Sequence, residues 1–428
     1  MHDGQEPATR AVRLGTRGSR LALTQSTQVA RALEDAGAPG ITLVTVRTQG
    51  DGDRTPLRDL GGAGVFAALL RRALLGSHVD LAVHSFKDLP TAPASGLEVI
   101  CVPRREDTRD ALCARDGLTL EALPAGSRVG TGSPRRAAQL LAVRPDLEVV
   151  DLRGNVPTRL ARVNGLATAA AVGTDEPVAP AGPDAQGDLD AVVLALAGLR
   201  RLGLEHCVSQ VLDPEVMLPA PAQGALAVEA RAGTLEEHED LARAAARLED
   251  ADTRVAVTAE RALTAGLEAG CAAPVGAWAR VVDLEPGTHD PASGPAQAGT
   301  GPATQDSRSA TAGHPSVSGP STAPGRRGSP GAGSVARREL VLRALVSSPD
   351  GQRRLVRERR VPLPGGRGQG VRPQGSSAPR TTSDLVTAEN LGARVASVLL
   401  EDGAGELSDL QARRPEHPPA GLSGPRQD

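Results

Sequence analysis

The stretch VHSFKDLP, residues 83–90, holds Lys87, the only lysine among 48 lysines and arginines, directly before Asp88. A carboxylate set beside several cations can hold or deliver a proton at a centre that is becoming positive. It can also stabilise a cationic intermediate by its charge. An ammonium is a compact charge on a flexible stem, and the rigid arginine fork does not simply substitute for it. The same two residues would equally make a solvated turn in which Lys and Asp pair. His84 reads as a packed strand residue. A second candidate is Cys271 in EAGCAAPVGAW, bracketed by Gly270 and Pro274. A loop cysteine between small residues is accessible, as thiol chemistry requires. Read from the residues alone, an inert buried thiol fits Cys271 as well. Cys101, Cys113 and Cys207 read as buried, inert free thiols, since no C-x-x-C pair suggests zinc or a disulfide framework.

Three junctions between a strand and a helix place arginines where the helix field opposes them. In TRGSRLAL, Ser19 is placed to cap a helix, with Arg17 and Arg20 around it. In GTGSPRRAAQLL, Ser133 is the cap and Pro134 the first helical residue, and Arg135 and Arg136 fill the first turn. In LRGNVPTRLARV, Asn155 is the cap, flanked by Arg153 and Arg159. A helix N-terminus carries partial positive charge, and a cation there costs roughly 0.3–1 kcal/mol at exposed sites. Repeating the choice three times calls for a compensating anion, and bare N–H groups at a strand end form an anion site themselves. Surface arginines explain any one junction. The three together point to a cleft, with Asp88 its one obvious acid, that takes a polyanion of several carboxylates. No phosphate-loop motif and no G-x-G-x-x-G opening a helix is present, so a nucleotide is not the first expectation.

The elements that must position these residues alternate between strand and helix over residues 11–285. ITLVTVR (41–47), DLAVHS (80–85), SRVGTGS (127–133), EVVDLR (148–153) and DAVVLALAG (190–198) are short β-type runs. Most are nearly continuous in apolar residues, as strands covered on both faces are. The run LALTQSTQVARALEDAG sets Ala22, Val29 and Leu33 on one helix face and stops at Gly37. The pattern predicts α/β layers on a largely parallel sheet. Further on, RELVLRALVSS and QRRLVRERRV flank a Pro-Asp-Gly turn and predict a hairpin, with helical patterns at 253–268 and 385–402. In the last, Ala388, Leu391, Val395 and Val398 share one side and Gly403 ends it. Residues 286–335 and 363–383 are Gly-, Pro- and Ser-rich, cannot bury enough apolar surface to order, and read as disordered inserts. A smaller Ala/Gly/Pro-rich loop covers 166–188. The 428 residues allow two or three domains. A net charge of −3, two Phe, one Trp and no Tyr argue against a nucleic-acid binder. With no apolar run long enough for a signal peptide or a membrane span, a cytoplasmic protein is expected.

The chain resembles the porphobilinogen deaminase family. The resemblance rests on TRGSRLAL, QGDGDRTPL, GGAGVF, VHSFKDLP, REDTRDAL, LPAGSRVGTGSPRR, LRGNVPTRL, LALAGLRRLGL, LPAPAQGALAVE and TAERAL followed by LEAGCAAPVGAWA. They stand in the family's order across residues 11–285. The resemblance implies two α/β domains like those of periplasmic binding proteins, with the cleft between them, plus a small C-terminal α+β domain. The implied boundaries are 1–103 with 223–246, 104–222, and 247–412, followed by a tail at 413–428. It implies a hydroxymethylbilane synthase, a transferase that deaminates four porphobilinogen molecules and condenses them on a dipyrromethane cofactor, then releases the tetrapyrrole by hydrolysis. It implies a thioether from Cys271 to that cofactor, catalysis by Asp88, and cofactor contacts from Lys87, Arg17, Ser19, Ser133, Arg135, Arg136, Arg153, Arg159, Arg201 and Gln223. The partners it implies are porphobilinogen and the growing acidic pyrrole chain, without nucleic acid or membrane, and it implies a monomer. A non-catalytic anion-binding protein of the periplasmic type is the alternative. Three departures stand out: Ala63 where many members have lysine in a glycine-rich loop that could act as a lid, Ala222 before Gln223-Gly224, and Ala272-Ala273-Pro274 after the cysteine.

Overall fold

The computed structural model describes residues 11–46, 62–166, 187–270, 273–284, 337–364 and 382–410. Cys271 and nearly all of the three predicted inserts lie outside these residues, as does the side chain of Ala63. In chain order the described strands are β1 (Val12–Thr16), β2 (Ile41–Thr45), β3 (Leu81–Ser85), β4 (Leu97–Cys101), β5 (Asp110–Ala114), β6 (Arg128–Gly130), β7 (Glu148–Val150), β8 (Ala191–Ala195), β9 (Gln210–Val211), β10 (Leu226–Arg231), β11 (Val275–Leu284), β12 (Arg337–Ser347) and β13 (Arg354–Leu363). The helices around the sheets and the site are α1 (Arg20–Asp35), α2 (Gly62–Leu75), α3 (Pro134–Val143), α4 (Val156–Leu160), α5 (Leu196–Arg201), α6 (Glu239–Leu248), α7 (Ala251–Gly266) and α8 (Thr382–Glu401).

Two five-stranded sheets repeat one plan. Their orders are β2-β1-β3-β10-β4 and β7-β6-β8-β5-β9. In each, three strands run parallel, and the fourth pairs antiparallel with both of its neighbours. The expectation of a largely parallel sheet is corrected on this point. Strands β5 and β10 are those the chain enters directly from the other sheet. Each is fed without a crossover helix, and a parallel strand needs one. These crossings, at 102–109 and 212–225, join two lobes. In both, the central strands are buried along nearly their whole length; continuous apolar runs predicted this for β3 and β8, while β5 was not among the predicted strands.

The third unit is the predicted hairpin and more: β11, β12 and β13 form an antiparallel sheet covered by α7 and α8. Gly351 of the Pro-Asp-Gly turn has φ +73°, in the left-handed region that favours glycine. The two helices approach closely at Gly392, where a Cβ would lie 2.3 Å from the Ala259 carbonyl oxygen. The described architecture is therefore the expected one, two α/β lobes and a small α+β unit.

Local details differ from expectation. The run 190–198 is strand only to Ala195, and Leu196 opens α5. Runs 127–133 and 148–153 keep only three strand residues each, because their ends turn into the site loops. From Gly62 onward, GGAGVF is the first turn of α2 instead of a loop, as the apolar run that follows it is helical. Cys101, Cys113 and Cys207 are buried and free, as expected, and burial pushes all three thiols up.

Candidate active site

The strand β3 ends in a short 3-10 turn, Phe86–Asp88. Phe86 and Leu89 are buried and pin the turn from below, and the Phe86 N–H donates to the Ala225 carbonyl beside β10. Of the two residues between them, Lys87 faces Arg135, Arg136 and Asp110 of the other lobe, and Asp88 borders a small cavity lined by its own lobe. Protein encloses Lys87 closely enough to push its ammonium down to about 8. Desolvation is the main cause, and Arg136 and Arg135 add repulsion against the pull of Asp88 and Asp110. Its side chain nevertheless stays open to solvent. A group both enclosed and wet lies in a cleft, and the water there draws its value back toward the ordinary lysine range. Lys87 Nζ donates to Gln223 Oε1 at 3.2 Å.

Gln223 is fully buried and passes the contact on. Its Nε2 donates to the Thr108 carbonyl and to Asp110 Oδ1, both at 2.8 Å. Asp110, at the start of β5, lies between both arginines of the second junction: Arg135 Nη2 and Arg136 Nη2 each stand 2.8 Å from a carboxylate oxygen. Burial alone would raise the Asp110 carboxyl, but Arg135, Arg136, the Gln223 hydrogen bond and Lys87 hold it at about 2. This corrects two expectations. Asp88 is not the one acid among the cleft cations, and the anion that offsets Arg135 and Arg136 at their helix end is partly internal. Asp110 stands in REDTRDAL, a stretch read only for its likeness. Its own signal, a charged residue opening an apolar strand, was there to be used. Arg135 keeps unspent capacity, since its Nε is buried without a hydrogen-bond partner. An orphaned guanidinium nitrogen beside an open lysine fits a carboxylate-bearing cofactor.

The remaining residues divide. Arg17 is depressed by desolvation, with Asp88 pulling it back up, so the first junction faces the acid. Arg17, Gln25, Ser85 and Asp88 line one small cavity. Ser19 caps α1 as predicted, its hydroxyl accepting the Ala22 N–H at 3.4 Å. Ser133 stands at the N-cap of α3 but makes no side-chain cap bond, so its hydroxyl is not committed to the helix. Asn155 caps α4 by accepting the Thr158 N–H. Arg201, at the end of α5, is depressed by burial and donates to the Gly224 carbonyl at 2.7 Å, beside Gln223. Leu21 of the first junction and Val156 of the third both approach Gly198 of α5, so those helix ends meet across the lobes. Arg153 and Arg159 make local contacts here: the exposed Arg153 pairs with Asp151 at 3.5 Å, and the half-buried Arg159 donates to the Gly154 carbonyl. His84 is the packed residue expected, 3.2 Å from the buried Glu229 that also binds Arg71. A larger cavity of about 550 Å³, bordered by Arg104, Asp252, Trp278 and Arg280, includes none of the predicted site residues. Among the described residues there is no cluster of His, Cys, Asp or Glu that could hold a metal.

Fold and site together define a two-lobed α/β protein with cationic side chains of both lobes gathered near the turn at Phe86–Asp88. Residues 12–239 match the family model described as porphobilinogen deaminase, dipyromethane cofactor binding domain, and residues 255–285 match the C-terminal domain of the same enzyme. The porphobilinogen deaminase of Cutibacterium acnes is 46% identical over 402 residues, 94% of this chain and 98% of that one. The porphobilinogen deaminase of Micrococcus luteus is 57% identical over 287 residues, 64% of this chain and 75% of that one. Among solved structures, a TRAP periplasmic solute binding protein from Desulfovibrio salexigens overlaps 56% of this chain and 72% of its own at 10% identity, with a TM-score of 0.32. The chain belongs to the porphobilinogen deaminase family. It is a transferase of tetrapyrrole biosynthesis, a hydroxymethylbilane synthase that acts on porphobilinogen and uses a dipyrromethane cofactor. A non-catalytic anion-binding protein is not favoured.

Proposed function

We propose that Asp88 is the catalytic carboxylate, that Cys271 holds the cofactor through a thioether, and that Lys87, Arg17, Ser19, Ser133, Arg135, Arg136, Arg153, Arg159, Arg201 and Gln223 bind the acidic side chains of cofactor and substrate. One observation carries this reading: cations from both lobes converge on a single turn, with Arg17 facing Asp88 and the Asp110–Arg135–Arg136 cluster facing Lys87. When bound, the dipyrromethane supplies the pyrrole carbon on which the chain is built. Asp88 holds the proton at the substrate's amine nitrogen, which leaves as ammonia, and its negative charge then stabilises the positive charge developing on the substrate. The guanidiniums orient each incoming unit through its carboxylates, converting a bimolecular encounter into a positioned one. Arg153 and Arg159, at the third junction, take further carboxylates of the chain.

We infer domain boundaries at 1–103 with 223–246, 104–222, and 247–412, with 413–428 as a tail. Membership of the two sheets supports the split of the first domain, since β10 lies between β3 and β4 in the sheet of strands β1 to β4. A cytoplasmic monomer follows from the resemblance. Among the described residues no helix is long and apolar enough to cross a membrane. The test is the intact mass of freshly purified active protein with the Asp88→Ala variant beside it. We expect a mass excess of two pyrrole units that maps to Cys271, and a folded variant with almost no product. An unmodified Cys271 in active protein, or a fully active variant, rejects the assignment.

A further inference from the structure

Arg261 belongs to α7 in the third unit, yet its hydrogen bonds end on the first lobe. Nη1 donates to the Leu89 carbonyl at 2.8 Å and, more loosely, to Phe86 at 3.4 Å, and Nη2 donates to Pro90 at 2.7 Å. The guanidinium also lies over the Phe86 ring, 4.6 Å from its centre. The three carbonyls bracket Lys87 and Asp88 on both sides. Nothing else on α7 spends its polar groups on this turn. The helix is fixed to the lobes elsewhere: Glu260 grips Arg105, Arg254 donates to the Val99 carbonyl, and Thr253 accepts the Arg105 N–H. Val257, one turn before Arg261, packs in the same apolar cluster as Phe86 and Leu89. Docking of the third unit is thus secured without Arg261, and the arginine acts on the turn alone.

We propose that Arg261 is a positioning residue for the deamination chemistry: from the unit that carries Cys271, it fixes the backbone of the turn that aims Asp88. The inference rests on the reading of Asp88 as the catalytic carboxylate. A two-residue excursion held at both ends has one direction for its side chains. Without Arg261 the buried Phe86 and Leu89 still anchor the turn, but the carbonyls on either side of it lose their tether, and a misplacement of about 1 Å at Asp88 costs on the order of a hundredfold in rate. A planar fork can serve carbonyls on both sides of the excursion at once, and an ammonium cannot reach both with the same geometry.

The test uses holoenzyme, with turnover expressed per cofactor-loaded molecule counted by intact mass. Arg261→Gln should load cofactor normally and lose about tenfold to a hundredfold in kcat with KM for porphobilinogen changed by less than about threefold; Arg261→Lys, which keeps the cation over Phe86, should recover part of the loss. In an Asp88→Asn background, Arg261→Gln should cost no further turnover, because a residue acting through the carboxylate has nothing left to aim. The proposal is overturned if Arg261→Gln and Arg261→Lys turn over within about twofold of wild type per loaded molecule, or if the losses multiply in the double variant. Either result leaves the reading of Asp88 standing. If Asp88→Asn itself turns over normally, the reading of Asp88 fails and this inference with it.

Discussion

Lys87 and Asp110 sit at opposite ends of one buried relay through Gln223, and their protonation sets opposite limits on the enzyme. The Lys87 ammonium, pushed down to about 8 mainly by desolvation, is charged below that value and neutral above it. Its contact with a carboxylate exists only in the charged form. We expect kcat/KM, which reports the cofactor-loaded enzyme free of substrate, to fall on the alkaline side above about pH 8, because the cofactor carboxylates that Lys87 holds favour its charged form. Lys87→Arg should lack that limb while lowering turnover, since its fork points two donors where one ammonium is wanted. A pH profile of both proteins checks this. Asp110 works at the acid end. Its carboxyl falls from an ordinary 3.8 to about 2, so the folded state gains stability above pH 4 and loses it as pH falls toward 2. The size is about 2 kcal/mol. Asp110→Asn leaves Arg135 and Arg136 buried without a counter-charge and should cost about 3–5 kcal/mol at neutral pH. Urea midpoints at pH 7, 4 and 2 decide it: the variant should start lower and lose less across the acid window.

At the scale of elements, helix starts were the most legible feature. Ser19 and Asn155 cap where the sequence placed them, because the cap is a local bond between residues three apart. Strand cores were legible from continuous apolar runs, as in β3 and β8. The antiparallel β5 and β10 were not, since their direction depends on where the chain comes from, and their composition does not encode it. Likewise the Arg136–Asp110 and Lys87–Gln223 contacts link residues 26 and 136 apart in sequence, beyond any spacing rule. Ala222, one of the three departures, carries φ +59°, where a side chain costs about 1–2 kcal/mol. That strain is visible only once the turn before Gln223 is built. The α7–α8 contact shows the reverse case, a glycine that cannot be given up. Gly392 lets α8 approach Ala259 and Ala262 more closely than any side chain permits. Gly392→Ala should gain helix propensity of about 1 kcal/mol yet lose about 1–3 kcal/mol to overpacking, for a net fall in unfolding temperature. Thermal unfolding of the variant, with cofactor loading unchanged, is the measurement.

For the whole molecule, one carboxylate stands where all three parts meet. Glu260 on α7 is fully buried and accepts both terminal nitrogens of Arg105 on the outgoing crossing, the Ala222 N–H on the returning crossing, and the Ala279 N–H on β11. Arg105 in turn donates through Nε to the Gln223 carbonyl, which links this junction to the active-site relay. Any swing of one lobe against the other must pivot on the two crossings, and both are bolted to the third unit here. An amide in place of Glu260 keeps the shape but removes the charge, and its NH2 would face N–H or guanidinium donors it cannot bond. Breaking a buried pair in this way typically costs about 3–5 kcal/mol. We therefore expect Glu260→Gln to unfold in two calorimetric steps, the third unit separating from the lobes, where wild type unfolds in one. Arg105→Met in the same background should restore part of the loss, because it withdraws the buried charge left unpaired. A variant that melts in one step at the wild-type temperature would mean that the other contacts, apolar packing around Val257 and the bonds of Thr253, Arg254 and Arg261 among them, suffice to join the units, and that the carboxylate is not their common fastening.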